Sequence, residues 1–535
     1  MGQFDSGGIV ATATLLLAAA ILYRYILYPV IFSPLAKIPN AHWSSSVSPS
    51  WILWIRFQSR ENKALYEAHQ EHGPIVRLGP NEVSINDVES VKTVYQGGFD
   101  KHEWYSVFNN FGVPCAFSSL EAKHHSLRKR MVSNVYSKSF IHSSASLAAQ
   151  SDRILNTRLL PLLEASTHQS QDPHGIDVHS LFAATAMDSI TAYCFGIRDG
   201  SNFIQQKTYR DHWQELYKVR KGYGFFDQEL PRISRALRFL GLNLTPSWVA
   251  AANKELESWC EKHCDSALAV LEEAKTDSRN TADDPVVLRS ILSGIEKESV
   301  ANGANSPIYS TTIRQSKLSI ASEVFDHVLA GQETTGVALT YLAWHLSRSP
   351  DLQRDLRAEL LSLKPDMRLE ESRATIPDPK QLDSLPMLHA VITETVRRYA
   401  PAGGPEPRVT PLPSCRIGLY QIPGGVRISA SVYNLHRDEG CFPKPESWDH
   451  TRWLQSTDED EGGRTERDRQ FWGFSSGGRM CLGSNFAMHE MKLVIAAIYS
   501  NYTSHIVNDE GIEPTDGYTA HPTSGQLWLR FEKVT

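Results

Sequence analysis

From Ile9 to Phe32 almost every residue is apolar, and Arg24 is the only charge. Such a run has few structural options. Lipid offers the backbone no hydrogen-bond partner, so roughly 20 apolar residues wound as a helix are what a bilayer core accepts. The run is too long for the core of a typical signal peptide, and no small-residue cleavage site follows a short apolar core, which disfavours a cleaved leader. Tyr23, Tyr25 and Tyr28 surround Arg24, placing this end at an interface where an arginine can snorkel, and Lys37 follows on the same side. The positive-inside rule then predicts a single-pass anchor over residues 9–32, a short lumenal end over residues 1–8 and a cytosolic body. Pro34, Pro39, Pro49 and the serines among them make residues 33–50 a stiff polar connector. Asn243-Leu-Thr and Asn501-Tyr-Thr match the glycosylation pattern but face the wrong compartment under this topology.

The body, residues 51–535, shows no linker that would divide it. Hydrophobic residues make up 41% and charged residues 21%, and 12 tryptophans are present, a balance that allows a substantial core. A net charge of −6 gives no reason to expect nucleic-acid binding. Seven cysteines, odd in number and scattered, do not form a disulfide framework and fit reduced thiols facing the cytosol. Cys260 and Cys264 lie one helical turn apart without a complementary pair elsewhere, so they read as ordinary helix residues.

Ile75-Val-Arg-Leu and Glu82-Val-Ser-Ile read as a hairpin around Gly79-Pro80-Asn81. Helical periodicity covers Ser143 to Glu164, Val178 to Cys194, Ala250 to Glu273, Gln315 to Ser347 and Asp351 to Leu363, and the polar stretch Thr276 to Asp284 reads as a loop. Strand-like segments return from Arg408 to Val432 and at Gln526-Leu-Trp-Leu-Arg-Phe. The expected fold is mainly α with small segregated β-sheets, preceded by one transmembrane helix.

One cysteine differs from the others in its setting. Phe474-Ser-Ser-Gly-Gly-Arg-Met-Cys481-Leu-Gly483 puts it in a glycine-dense turn, two residues after Arg479 and ahead of a helix beginning near Ala487-Met-His-Glu-Met. A thiolate is stabilised by a guanidinium and by the N–H groups at a helix start. Glycines let the backbone wrap closely around a bulky planar group, and Phe474 offers an apolar wall. On its own a lone cysteine is more often a small buried hydrophobe. This segment resembles the haem-binding signature of the cytochrome P450 family, Phe-x-x-Gly-x-Arg-x-Cys-x-Gly, at Phe474, Gly477, Arg479, Cys481 and Gly483. Gly473 and Ser475 depart from the Pro and Gly found in many relatives. The resemblance implies that Cys481 is the axial haem ligand and that Arg479 binds a haem propionate, with Phe474, Gly477 and Gly483 completing the loop. Cysteinate ligation favours O–O cleavage.

Further segments match the family in order. Leu329-Ala-Gly-Gln-Glu-Thr-Thr-Gly336 sets Glu333 and Thr334 in an otherwise apolar helix, where Gly331 weakens the backbone. A threonine bonded back to the preceding turn is the bland reading. In relatives this helix is kinked and crosses the haem, which gives Thr334 an oxygen-stabilising role and Glu333 a proton-relay role; Thr335 reads as structural. Glu394-Thr-Val-Arg397 is by itself a common helical ion pair. By resemblance it forms a structural triad with Arg452, although Asp449-His-Thr-Arg departs from the usual Pro-Glu-Arg-Phe wording. Lys123-His-His-Ser-Leu-Arg-Lys-Arg130 reads first as a solvated face, kept for Lys123, Lys129 and Arg130. His124 and Arg128 match the family's His-x-x-x-Arg spacing for propionate binding, and Arg408 is a third candidate. Other basic residues nearby suit a reductase docking face.

The resemblance runs from about Lys37 to the carboxyl end. It is nearest in wording to microsomal enzymes of filamentous fungi, which implies residence in the endoplasmic reticulum membrane. The implied reaction inserts one oxygen atom of O2 into an apolar small molecule such as a terpenoid, polyketide or alkaloid of secondary metabolism. The cofactor would be haem b, with NADPH electrons delivered by a flavoprotein reductase and cytochrome b5 as an additional donor. Trp104 to Phe117, Gly222 to Phe226, Phe325 to Ala330 and Ala400 to Gly404 are the expected substrate wall, against the alternative of ordinary core. A haem-thiolate isomerase or dehydratase that does not use O2, and a non-enzymatic membrane haem protein, are the competing functions; Glu333 and Thr334 argue against both.

Overall fold

The computed structural model describes residues 6–168, 174–273, 280–454 and 461–534. Its contacts divide the chain into two units, residues 1–102 with 404–435, and residues 103–403 with 436–535. Residues 1–5 of the expected lumenal end and residues 276–279 of the expected loop lie outside the described residues.

In the first unit, α1 (Ser6–Leu22) runs directly into a π-wound segment, Tyr23–Phe32, that contains Pro29. Proline lacks the N–H of a regular turn and crowds the turn before it, which the wider winding accommodates. Only 6% of the most apolar stretch of this helix is buried, so it is not a core helix of the unit. Its end is fixed by Arg77, which is buried and donates to the carbonyls of Pro29 (2.8 Å), Pro80 (3.0 Å) and Gly79 (3.2 Å). Burial lowers this arginine to about 10. The segment expected to be a polar connector packs inward in part: Leu35, Ile38 and Ser44 to Ser46 are buried, and Asn40 bridges to Arg77.

The expected hairpin is present as β1 (Ile75–Gly79) and β2 (Glu82–Ile85), with Ile75 opposite Ile85 and a slip in register before Gly79. Downstream lie β3 (Asp100–Lys101), β4 (Arg408–Val409), a separate hairpin of β5 (Ser414–Ile417) and β6 (Tyr420–Pro423), and β7 (Arg427–Ser429). The larger sheet has the order β1-β2-β7-β4-β3, with β2 and β7 parallel. Arg408 opens β4, where its guanidinium donates to Glu406 at 3.1 Å and lies 4.7 Å from the centre of the Tyr95 ring.

The second unit is helical: α2 (Ala122–Val132), α3 (Ala145–Ile154), α4 (Val178–Phe195), α5 (Lys207–Gly222), α6 (Pro231–Phe239), α7 (Ser247–Glu273), α8 (Val286–Asn302), α9 (Ser316–Ser347), α10 (Pro350–Leu360), α11 (Pro386–Arg398) and α12 (Ser484–Tyr499). Strands Ile176–Asp177, Trp528–Lys533 and Tyr502–Asn508 form its small sheet. Helix α4 is apolar on nearly every face and is buried accordingly. It packs tightly on α9 because Gly331 and Gly336 leave no side chain between them. A Cβ on Gly331 would lie 2.9 Å from Ile190, and one on Gly336 would lie 2.8 Å from the Ala183 backbone. The sequence did not disclose α5, α6 or α8; in the charge-rich α5 only Arg210 and Trp213 are buried, so its apolar stripe is too narrow to read. Asn501 is not available for glycosylation, since its amide donates to Met367 and Ala497 at 2.8 Å.

Between α3, α4 and α12 lies a small cavity lined by Gln150, Ser189, Phe486 and Glu490. Glu490 is buried, one of its carboxyl oxygens has no partner, and burial pushes it up to about 8, opposed only by Ser189. An acid raised in the folded state takes up a proton on folding. Its contribution is most favourable below the unfolded value near 4.5 and declines as pH rises toward about 8. Thermal denaturation of the full-length protein across that window should show stability falling with pH, and Glu490→Gln should flatten the slope.

Candidate active site

Glu394 and Arg397 lie one turn apart on α11 with no exposed side-chain surface. The guanidinium meets the carboxylate through two bonds of 2.8 Å, the fork geometry in which a buried pair is best satisfied. Its remaining N–H groups donate to the carbonyls of His436 (3.0 Å), Pro445 (2.9 Å) and Ser447 (3.1 Å). Glu394 also accepts from the backbone N–H of Asp449 (2.8 Å) and the Trp453 indole (2.9 Å). Arg452, the expected third member, approaches Glu394 at 3.5 Å, a looser ion pair than that of Arg397.

The pair is tied to the cysteine loop through His436. This buried ring bonds the Arg397 carbonyl at 2.9 Å and accepts from the backbone N–H of Trp472 at 2.8 Å. Burial, with the Arg397 charge adding to it, lowers His436 to about 3, so the ring is neutral and Nδ1 carries the proton. Trp472 in turn donates its indole N–H to Ser476 (2.9 Å), and its carbonyl accepts from Ser475 (2.9 Å). The loop closes on itself where the Cys481 N–H meets the Phe474 carbonyl at 2.9 Å. Gly477 has φ 72° and Ser475 has φ 59°. The left-handed conformation suits the first and strains the second, which explains why a glycine at position 475 is the usual wording.

Cations converge on this loop. Arg479 donates to the carbonyls of Ser119 (2.7 Å) and Leu120 (2.5 Å). Arg128, buried on α2, donates to the hydroxyls of Ser119 (3.0 Å), Thr311 (2.7 Å) and Thr312 (3.0 Å). Lys129 reaches the carbonyls of Gly478 and Met480. His124 is partly exposed and lies 3.4 Å from Glu121. The structure therefore gathers Arg128 and Arg479 around Ser119. Arg408 stands in the first unit with its own partners.

Helix α9 is continuous from Ser316 to Ser347, and Thr335 is buried within it, as a structural hydroxyl would be. The weakening expected at Gly331 does not interrupt the helix. The bare Cα of that residue serves the close approach to α4 instead. The Thr334 hydroxyl donates back to the Ala330 carbonyl at 2.8 Å, which leaves its oxygen able to accept. Glu333 is held more firmly than the sequence suggested. It accepts from Tyr217 (2.7 Å), Thr519 (3.0 Å) and Lys221, and Lys221 also bonds Thr519. Burial pushes this carboxyl up, but the Lys221 charge and the three donors outweigh it and hold the group below the ordinary carboxylate range. Nearby, Arg220 lies 5.2 Å from the centre of the Phe325 ring and donates to Asn110 at 2.6 Å, so the expected apolar wall includes a cation.

A family model described as Cytochrome P450 matches residues 46–528. The chain belongs to the cytochrome P450 family. Curated relatives include cytochrome P450 monooxygenase hkm5 of Aspergillus hancockii, 28% identical over 92% of this chain and 90% of the relative. Cytochrome P450 monooxygenase FGM1 of Gibberella zeae is 27% identical over 99% of this chain and 98% of its own length. Cytochrome P450 monooxygenase avaI of Aspergillus versicolor is 27% identical over 81% and 96%. Membership makes the chain an oxidoreductase of the monooxygenase type, with haem iron, O2 and electrons from a redox partner.

The residues present fit a haem. Of the seven cysteines only Cys481 is exposed, and it stands just ahead of α12, whose first turn begins at Ser484. A Cβ on Gly478 or Gly483 would meet nothing within 4 Å, so the loop leaves open space at both glycines. Sequence reasoning missed His436, Trp472, Lys129, Lys221, Tyr217 and Thr519. Lys129 sits inside a charged run that reads as a solvated face, and the others act across long sequence separations that no local pattern reports. Removing one partner of a buried ion pair costs about 3–5 kcal/mol. Glu394→Ala should therefore lower the urea midpoint sharply and release haem, both measured by absorbance on the full-length protein.

Proposed function

We propose that the chain is a membrane-anchored haem-thiolate monooxygenase that oxidises an apolar small molecule of fungal secondary metabolism. The observation that carries this reading is Cys481: the one exposed cysteine, in a loop held by the buried Glu394–Arg397 pair through His436 and Trp472. Bound through a thiolate, haem iron supplies the activation of O2 from which one oxygen atom enters the substrate and the other leaves as water. Cys481 would hold the haem iron through its sulfur. Arg479, Arg128 and His124 would pair with the propionates, and Phe474, Gly477 and Gly483 would shape the loop. Glu394, Arg397 and Arg452 keep that loop in place without touching the chemistry.

Thr334 and Glu333 manage protons. The Thr334 oxygen would accept a hydrogen bond, and Glu333 Oε1 would receive protons from the Lys221 and Thr519 side, where Lys221 is partly exposed to water. Haem b, NADPH, a flavoprotein reductase and cytochrome b5 complete the expected system. The relatives are fungal proteins named as cytochrome P450 monooxygenases, which supports the monooxygenase reading.

A single-pass membrane anchor is supported by α1, and α6 adds a surface suited to lipid; residence in the endoplasmic reticulum with a cytosolic body belongs to the same proposal. Helix α6 presents Ile233 and Phe239, followed by Leu240 and Leu242, to solvent beside Arg232, Arg235 and Arg238; Phe239 is 92% exposed. Apolar side chains flanked by arginines suit a helix lying at lipid headgroups.

The reading is tested with the full-length protein, a reductase, NADPH and labelled dioxygen, supplied with an extract of the host lacking the gene. One labelled oxygen atom should appear in the product, and product should vanish without NADPH or O2; product formed without either would show a reaction independent of oxygen. Glu333→Gln should lower turnover by about 100-fold while NADPH continues to be consumed.

A further inference from the structure

Lys129 lies on α2, in a run of charges that a surface helix would ordinarily turn to water. Its ammonium turns instead to the cysteine loop, donating to the Gly478 carbonyl at 2.9 Å and the Met480 carbonyl at 3.2 Å. Those carbonyls flank Arg479, and the second belongs to the residue immediately before Cys481. Met480 also closes the turn from Gly477, its N–H meeting that carbonyl at 3.1 Å, so Lys129 grips the last turn ahead of the sulfur. The neighbouring cations do something else. Arg479 and Arg128 direct donors to Ser119 and residues near it, whereas Lys129 bonds the loop itself.

We propose that Lys129 is a positioning residue for Cys481: its ammonium fixes the turn that presents the sulfur and places a positive charge beside the ligand. The inference rests on the reading of Cys481 as the haem ligand. Groups that hold a metal ligand from outside set its orientation and tune the metal it binds. Positive charge beside a thiolate draws electron density from whatever the sulfur ligates. Without it, the turn should loosen and the bound iron should become harder to reduce.

The test uses full-length holoprotein as wild type, Lys129→Met and Lys129→Arg. The haem potential is measured by dye equilibration without reductase, and the red-shifted thiolate-type Soret band of the reduced carbon monoxide complex is followed in rising urea beside far-UV circular dichroism. In Lys129→Met the potential should fall by roughly 30 mV, about a threefold change in the reduction equilibrium for one electron. The same variant should lose the thiolate band at a lower urea concentration than wild type, ahead of its helical signal. Lys129→Arg should behave as wild type in both measurements. An unchanged potential or an unchanged loss of the band in Lys129→Met would overturn the proposal, as would an arginine variant as impaired as the methionine one. A wild type that never shows the thiolate band would instead remove the reading of Cys481 on which the proposal stands.

Discussion

The buried pair of Glu394 and Arg397 is the constraint on which the site depends. A charge pair with no exposed surface is a poor source of stability when compared with apolar packing, because both groups forfeit water. What it supplies here is specificity. Every bond that offsets the desolvation goes to a particular group: the carbonyls of His436, Pro445 and Ser447 and the N–H of Asp449, together with the Trp453 indole. Segments distant in sequence are thereby fixed to one turn of α11. His436 carries the constraint onward to Trp472, and Trp472 holds Ser475 and Ser476 at the entrance to the cysteine loop.

Glu333 is governed by a different balance. Desolvation alone would push Glu333 up, yet Lys221, Tyr217 and Thr519 hold it below the ordinary carboxylate range. These partners come from α5 and from the carboxyl-terminal segment, so the charge state of one side chain on α9 depends on how three separate parts of the unit meet. The two glycines of α9 contribute through packing, Gly331 against the Ile190 side chain and Gly336 against the Ala183 backbone of α4.

Much of this was legible in the sequence. The apolar run, the hairpin around Gly79, the long α9 and the cysteine loop each carry a local pattern, and Glu394 and Arg397 stand at helical spacing. Three features were not legible. Charge-rich helices such as α5 bury too few residues to show a stripe. Partners such as His436 with Trp472, or Lys221 with Glu333, are set by tertiary contacts that no window of sequence contains. Gly331 was expected to loosen its helix, and instead allows a close approach to Ile190, because a glycine signals missing bulk without saying which neighbour uses the space.

The proposed chemistry requires Cys481 to bind haem iron as a thiolate. The most direct measurement is the spectrum of the reduced, carbon monoxide-bound full-length protein beside that of Cys481→Ser. A red-shifted thiolate-type Soret band is expected in the wild type and not in the variant. A wild type without that band, or a Cys481→Ser protein that retains it, would show that Cys481 is not the haem ligand.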